Sequence, residues 1–246
     1  MTPRWKFHLS GYPCLDLANT VSWRRSARPI ERLKGYGSLI EWARQSGVLT
    51  ASEARAVGRE IRRRPVKAAR MLTRARALRE AIYRIFGGLA SGSPPDPADV
   101  ALLDRELHDA TRHLRLVRAR SRHVLAWPPG VGLLARRPLW TAARSAADLL
   151  IGGNVDRLKT CPSADCGWVF LDTTKSGTRR WCAMWACGSR AKARSYYARR
   201  RSRRTALTEM RNTPQPRPRA LRSVWRSSVG PHASPSARTR EQVPRR

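Results

Sequence analysis

Long hydrophobic runs are missing from this chain of 246 residues. No stretch of 18 or more consecutive apolar residues occurs, so the sequence offers no candidate for a membrane-spanning helix. The first 21 residues also lack the apolar core and the small-residue cleavage site of a secretory signal. These absences predict a soluble, cytoplasmic protein that has no membrane partner.

Recognisable catalytic motifs are missing as well. The chain has no nucleophile elbow and no phosphate-binding glycine loop. It also lacks a pair of carboxylates placed for acid–base chemistry. We therefore expect a binding protein rather than an enzyme, and we assign no catalytic residue.

Acidic residues are few, 17 against 50 lysines and arginines, which gives a formal net charge of +33. Such an excess favours polyanionic partners, because each neutralised phosphate releases a condensed counterion. Arginine, alanine and proline are abundant throughout, however, and GC-rich coding produces the same bias, so the total charge is weak evidence of function. The distribution is more informative, because 11 basic and no acidic residues lie between Lys175 and Arg204.

Four of the five cysteines form two matched pairs, Cys161-x4-Cys166 and Cys182-x4-Cys187. Two such steps joined by a short connector suit four thiolates that converge on one tetrahedral Zn²⁺. Because the protein would then fill all four positions, the zinc is predicted to be structural. Clustered cysteines without an export signal favour a metal over disulfides. An iron–sulfur cluster and unpaired thiols remain the alternatives. Cys14 lies far from the cluster and is predicted to be a buried free thiol.

The cysteine region predicts a small treble-clef-like module. We expect a knuckle around the first cysteine pair, followed by a β-hairpin formed by residues 168–171 and 179–181. Ser189 is placed to cap a helix over residues 190–204, which no helix-breaking residue interrupts. The last two metal ligands would then lie at the start of that helix.

The predicted helix is rich in arginine, and its basic side chains are expected to project to solvent and contact phosphates. Its alanines and at least one of Tyr196 and Tyr197 are expected to pack on the hairpin and on Trp181. The predicted nucleic-acid contacts are Arg179, Arg180, Arg190, Lys192, Arg194, Arg199, Arg200 and Arg201. Two alternatives remain. One is a solvated cationic helix that binds RNA or membrane lipids weakly, or nothing, and the other is a structural role for Arg190 in bonding knuckle carbonyls.

The region before the module predicts a mainly α-helical domain of about six helices. Thr50 and Glu53 form a capping box, so a helix is expected to start there and to run to about residue 63. A long helix over 66–90 follows Pro65, with one apolar stripe at three-four spacing. A further apolar helix is expected over 131–151, and a small β-hairpin between residues 114 and 127.

A polar group near the N-terminus allows two interpretations. Asp16, Asn19 and Thr20 interrupt an apolar segment, where they would either cap helix ends and bind backbone or line a pocket. For the pocket, the candidate residues are Asp16, Asn19 and Trp23. The predicted domain organisation is a helical domain over 1–155, a zinc finger over 156–205 and a disordered Pro/Ser/Arg-rich tail over 206–246.

Four stretches of the module carry a resemblance: CPSADC at 161–166, WVFLD at 168–172, RRWC at 179–182 and CGSRAKAR at 187–194. They resemble the CGNR zinc-finger family of bacterial proteins, in which an ABATE-type helical domain precedes the finger. CLDLANT at 14–20 and SAADLL at 145–150 resemble that domain. The resemblance implies a zinc-binding, stress-related transcription regulator that binds DNA. Ser189 stands where the family motif has Asn, so only a serine cap is expected there.

The sequence therefore favours a bacterial transcriptional regulator that binds DNA through a basic helix held by a structural zinc. One alternative is a basic protein that binds RNA or the ribosome. Another is a ligand-binding helical domain with non-specific affinity for polyanions. A homodimer and a small-molecule effector are compatible with the helical domain, and the sequence selects neither.

Overall fold

The computed structural model describes residue 7 and residues 10–212, and these are mainly helical. Their contacts form two units, one ending at Ala198 and the other beginning at Arg199. The helices are α1 (Pro13–Ala18), α2 (Tyr36–Gln45), α3 (Ala51–Arg62), α4 (Pro65–Ala90), α5 (Pro97–Thr111), α6 (Val131–Leu134), α7 (Arg137–Gly152) and α8 (Ser189–Asn212). The strands are β1 (Val21–Ser22), β2 (Ile30–Glu31), β3 (Arg115–Ala119), β4 (Arg122–Ala126), β5 (Leu158–Thr160) and β6 (Val169–Leu171).

Local capping chemistry sets several helix starts where the sequence predicted them. The Thr50 side chain accepts from the backbone N–H of Glu53, and the Glu53 carboxylate accepts from the backbone N–H of Thr50, so the capping box is confirmed. Pro65 occupies the first turn of α4, where its missing N–H costs nothing. Asp96 caps α5 by accepting from the backbone N–H of Ala98 at 2.7 Å.

Helix α4 provides the long side of the helical core. Its stripe of Leu78, Ile82, Ile85 and Phe86 is fully buried, which confirms the three-four pattern. Helices α1, α2, α3, α5 and α7 all pack against it. The helix continues to Ala90, so the glycine pair within its last turns does not end it.

Of two further predictions for the helical domain, the helix over 131–151 is wrong and the hairpin between residues 114 and 127 is confirmed. The single helix predicted over 131–151 is wrong, because α6 ends at Leu134 and α7 begins at Arg137. Pro138 explains the break: it lacks the N–H that a helix interior needs but fits the first turn of a new helix. The predicted hairpin between residues 114 and 127 is confirmed as β3 and β4, which pair antiparallel from Arg115 opposite Ala126.

The hairpin predicted within the zinc module is wrong in its pairing. Strand β6 pairs antiparallel with β5, which precedes the first cysteine, with Leu158 opposite Leu171. Residues 172–183 contain no strand. The first cysteine pair therefore lies in the loop that joins the two strands, and not before the hairpin.

Strand β6 faces two cores. Val169 and Leu171 belong to the main helical core, together with Leu158 of β5. Phe170, between them, belongs to a separate small cluster with the four paired cysteines. This division follows from strand geometry, because successive side chains point to opposite faces.

Hydrogen bonds with the side chain of Asn19, at the end of α1, join that helix to the backbone of β6. The Asn19 amide Nδ2 donates to the carbonyl of Val169 at 2.8 Å. The backbone N–H of Val169 in turn donates to Asn19 Oδ1 at 3.1 Å. Two further bonds lie beside this pair, from Trp168 Nε1 to the Val21 carbonyl at 2.7 Å and from the Tyr83 hydroxyl to the Gly167 carbonyl at 3.0 Å. The zinc module is therefore tied directly to the helical domain.

The C-terminal part of the described chain is helical further than expected. Helix α8 runs to Asn212, so the prediction of disorder is wrong for residues 206–212. Good helix formers such as Ala206, Leu207, Glu209 and Met210 account for the extension. The rest of the predicted tail, residues 213–246, lies outside the described residues.

Replacing Asn19 by alanine should weaken the attachment of the zinc module. The change leaves a buried N–H and a buried carbonyl of Val169 without their partner, at a cost of about 2–4 kcal/mol in the free energy of unfolding. Urea denaturation in the presence of zinc measures this cost. Asn154→Ala, at an exposed position, is the matched control and should change the stability by less than about 0.5 kcal/mol. Equal effects of the two substitutions would show that the bonds between Asn19 and Val169 do not stabilise the attachment of the zinc module.

Candidate metal centre and nucleic-acid interface

The first two cysteines of the cluster lie in the β5–β6 loop. The backbone N–H of Cys161 donates to the Trp168 carbonyl at 2.8 Å, and that of Cys166 to the Ser163 carbonyl at 2.9 Å. Gly167 follows with a φ of +67°, a left-handed conformation that side chains rarely adopt. A Cβ there would also lie 3.0 Å from the Arg25 side chain. The left-handed backbone therefore favours glycine in the turn that closes the knuckle.

The other two cysteines flank the start of the last helix. Cys182 ends the irregular connector, and Cys187 lies in a π-helical turn, Met184–Gly188, that leads directly into α8. The four sulfurs lie within 4.8 Å of one another and all four residues are buried. Such a turn brings the helix start to the cluster, as the sequence predicted.

The spacing of the sulfurs fits a tetrahedral zinc ion. Cys182 Sγ lies 3.6 Å from Cys166 Sγ and 3.7 Å from Cys187 Sγ. Four sulfurs at about 2.3 Å from one ion would lie about 3.8 Å apart, whereas a disulfide needs about 2.05 Å. None of the five cysteines forms a disulfide. The prediction of one structural zinc is therefore confirmed, since the four cysteines cluster to hold a metal ion.

The cysteines of the metal centre have a cationic neighbour. A thiolate is the form that binds the metal. The Arg190 guanidinium donates to Cys187 Sγ at 3.6 Å, so a positive charge offsets part of the negative charge of four thiolates.

Asp172 organises the connector between the two cysteine pairs, a role that the sequence analysis missed. Its Oδ2 accepts from Lys159 Nζ at 2.7 Å and from the Arg179 N–H at 2.8 Å, while Oδ1 accepts from the hydroxyl of Thr174 at 2.6 Å. The Lys159 bond, followed by those of Thr174, holds the pKa of the Asp172 carboxyl well below its usual range. The signal available in the sequence was Asp-x-Thr after a strand, which is typical of an Asx-turn.

Some of the predicted phosphate contacts serve the finger itself. Arg179 Nε donates to the Trp181 carbonyl at 3.0 Å, its Nη2 to the Cys182 carbonyl, and its guanidinium lies 4.7 Å above the Phe170 ring. Arg190 lies 4.2 Å above the Trp23 ring. The alternative structural role for Arg190 named knuckle carbonyls as its partners. Its guanidinium donates instead to Cys187 Sγ.

The other predicted contacts lie open to solvent. Arg180, Lys192, Arg194, Arg199, Arg200 and Arg201 are all exposed. Arg194 Nη2 donates to Ser163 Oγ at 3.4 Å, and Arg180 lies 5.6 Å from the Trp181 ring centre. These six side chains are therefore accessible to solvent.

Two expectations about this helix are wrong. Tyr196 and Tyr197 are 54% and 65% exposed and contact each other edge to face at 5.4 Å, and no residue of α8 is buried. The reason is that α8 leaves the cluster at its first turn, so only Ala191 among its alanines is partly covered. Ser189 also does not cap the helix, because it lies inside it and donates to the Met184 carbonyl at 2.9 Å.

The candidate pocket residues are only partly brought together. Asp16 accepts from the N–H and hydroxyl of Ser10, and burial raises its pKa to about 6 although these bonds oppose the shift. Thr20 donates to the Leu17 carbonyl at 2.8 Å. Of the three candidates, Asn19 and Trp23 line a cavity of about 670 Å³ between the helical domain and the finger, and Asp16 does not.

Thiol reactivity should separate the cluster from Cys14. Burial raises the pKa of the Cys14 thiol to about 12, and the residue is fully inaccessible. With a thiol-reactive chromophore at pH 8, we expect four thiols to react once a chelator removes the zinc, and the fifth only after denaturation. Rapid reaction of Cys14 in the native, zinc-loaded protein would contradict this burial.

Comparison with known families agrees with this architecture. Residues 11–153 match the family model ABATE, described as "Putative stress-induced transcription regulator". Residues 157–200 match the CGNR zinc finger. No curated protein matches the chain. Neither matched family is described as an enzyme, and no helix among the described residues is long and apolar enough to cross a bilayer. Because the first match covers more than half of the 246 residues, the chain belongs to the ABATE family and carries a CGNR zinc finger.

Proposed function

We propose that this protein is a bacterial, cytoplasmic transcription regulator that binds DNA through the surface around α8 and catalyses no reaction. The observation that carries the proposal is the contrast between the two ends of the finger. One end is bonded into the helical domain through Asn19 and Trp168, and the other presents exposed basic side chains. A finger that is bonded to the helical domain and carries exposed basic side chains suits a polyanionic partner.

The charge of α8 supports a phosphate-binding role. Between Ser189 and Asn212 the sequence has nine basic residues and one acidic residue, Glu209, a net charge of +8. The described side chains of this helix are exposed or half-buried, so they can reach phosphates without unfolding. Each contact would release counterions and make binding steeply dependent on salt.

Zinc has an architectural part in this proposal. Cys161, Cys166, Cys182 and Cys187 would each ligate the ion, leaving no position for water or substrate. The ion would hold the β5–β6 loop to the turn that starts α8. Arg179 and Arg190 would stabilise this arrangement, while Arg180, Lys192, Arg194, Arg199, Arg200 and Arg201 would contact phosphates.

The domain organisation follows the same division. Residues 1–155 would form the regulatory or dimerising part, and residues 156–205 the DNA-binding finger. Most of the large buried core lies in the helical part, to which the finger adds Leu158, Val169 and Leu171, and the exposed basic side chains lie in the finger. The tail beyond residue 205 has no assigned part in DNA binding.

Removing single charges from α8 should reduce the salt dependence of duplex binding. Lys192→Gln and Arg199→Gln each remove one proposed phosphate contact, so the slope of log K against log salt should fall by about 1 for each. Fluorescence anisotropy with a labelled duplex at several salt concentrations measures the slope. Arg118→Gln on the exposed strand β3 removes the same charge elsewhere and should leave the slope unchanged. Equal effects of the three variants would indicate a general charge effect without an interface.

Loss of zinc should abolish this binding. Cys182→Ser removes one sulfur from the donor set, so the start of α8 loses its fixed position and duplex affinity should fall by at least about tenfold. Cys14→Ala, at the cysteine outside the cluster, should keep both zinc and affinity. Metal analysis of each purified variant accompanies the binding curve. Full binding by a zinc-free protein would show that the finger is not the interface.

Competition decides between DNA and the alternative partners. A regulator should prefer a duplex selected from genomic DNA over random duplex and over folded RNA. Equal affinity for selected and random duplex would leave only general polyanion binding, and a preference for folded RNA would support an RNA-binding or ribosome-associated role. The exposed Tyr196 and Tyr197 make the RNA arm informative, because unpaired bases stack on such rings.

A further inference from the structure

The cavity between the helical domain and the finger has the size and the walls of a small-molecule site. Its volume of about 670 Å³ lies within the range of pockets that bind drug-sized ligands. Three tryptophans, Trp23, Trp168 and Trp185, line it together with Phe7. Indole rings in such a wall favour planar aromatic ligands through offset stacking and edge-to-face contacts.

Polar side chains in the cavity wall indicate which polar group a ligand should carry beside its aromatic ring. Arg32 and Arg190 both line the cavity, and none of its described lining residues is acidic. Three of the zinc-binding cysteines, including Cys187, also line it, so their negative charge opposes that of the two arginines. The Arg190 guanidinium is therefore suited to donate to an acceptor oxygen on a ligand, and a large negative charge on the ligand is not needed.

Arg190 is held in place to serve as such a donor. Its guanidinium lies 4.2 Å above the Trp23 ring while one Nη donates to Cys187 Sγ at 3.6 Å. A guanidinium has five N–H donors in a fixed plane, so the bond to sulfur uses only part of its capacity. A planar group fixed on an aromatic ring loses little conformational entropy when a ligand binds to it.

Trp23 shows the kind of backbone strain that often accompanies binding sites. Its φ of +58° lies in the left-handed region, which is rare for a bulky residue. Neighbouring bonds impose the conformation, because the N–H groups of Arg24 and Arg25 donate to the carbonyls of Cys166 and Asp165, each at 3.2 Å. The fold thus keeps an unfavourable backbone that directs this ring beneath Arg190.

We propose that this cavity binds a planar aromatic molecule that carries an acceptor oxygen, such as a carboxylate or an amide carbonyl, directed at Arg190. The ring would contact the tryptophan wall, and the oxygen would accept from the guanidinium. The site is built jointly by the helical domain and the finger. It does not depend on the nucleic-acid proposal, because binding involves no residue beyond Arg190 of α8.

Calorimetric titration of the full-length, zinc-loaded protein tests the proposal with three matched probes in the absence of DNA. Indole-3-carboxylate and indole-3-carboxamide carry the acceptor oxygen, and 3-methylindole has the same ring without it. We expect at least one of the first two to bind at least about tenfold more tightly than 3-methylindole. Equal affinities for all three, or no binding at millimolar concentrations, would overturn the proposal.

Two arginine variants identify the donor. Arg190→Gln should reduce the preference for the acceptor-bearing probes to about onefold, because the guanidinium supplies it. Arg180→Gln removes the same charge beside Trp181, outside the cavity lining, and should retain the preference. Metal analysis confirms that each variant is folded. A preference that survives in zinc-loaded Arg190→Gln would overturn the assignment.

A third variant covers the case in which Arg190→Gln loses its zinc. Trp185 is 76% exposed, so Trp185→Ala should keep the fold and remove one aromatic wall of the cavity. All three probes should then bind more weakly by about fivefold or more, since the loss concerns the ring that they share. Unchanged affinities in Trp185→Ala would overturn the proposal.

Discussion

Successive side chains along β6 alternate between two hydrophobic clusters and so join the zinc module to the helical domain. Val169 and Leu171 complete the core of the helical domain, and Phe170 between them covers the cysteine cluster. A three-residue strand thereby belongs to two hydrophobic units at once. Asn19 fixes the strand by pairing with both backbone groups of Val169, which prevents the burial of unpaired polar atoms.

The finger depends on this arrangement because it has little core of its own. Its cluster consists of the four cysteines, Phe170 and Ala183, with partly buried tryptophans at the edge. A unit of this size needs a metal to fold, and this finger is also stabilised by its contacts with the larger helical domain. Asp172 supplies the remaining order by binding Lys159, Thr174 and the Arg179 amide in the connector. The turn Met184–Gly188 then joins the start of helix α8 to the cluster.

Features with short-range causes were predictable from the sequence. The capping box at Thr50, the first-turn proline at Pro65 and the cysteine spacing each act over a few residues, and the sequence located all three. Features that depend on distant partners were missed. The partner of β6 was assigned to residues 179–181 because they follow it in the module, whereas the apolar Leu158 precedes the first cysteine. The contact between Trp23 and Arg190 joins residues that no local pattern relates.

Because β6 contributes side chains to both hydrophobic clusters, it restricts where residues can be inserted or deleted in this chain. Side chains on a strand repeat every two residues, so the insertion or deletion of one residue within β6 would exchange its two faces. Phe170 would then point into the helical core and a neighbour would point at the cysteines, so both units would fail together. The connector after Asp172 carries no such alternation, since residues 173–178 are outside strands and helices, but its Thr174 is bonded to the Asp172 carboxylate. Length variation among related chains should therefore be excluded from the strand and tolerated in the connector only where the bond between Asp172 and Thr174 is kept.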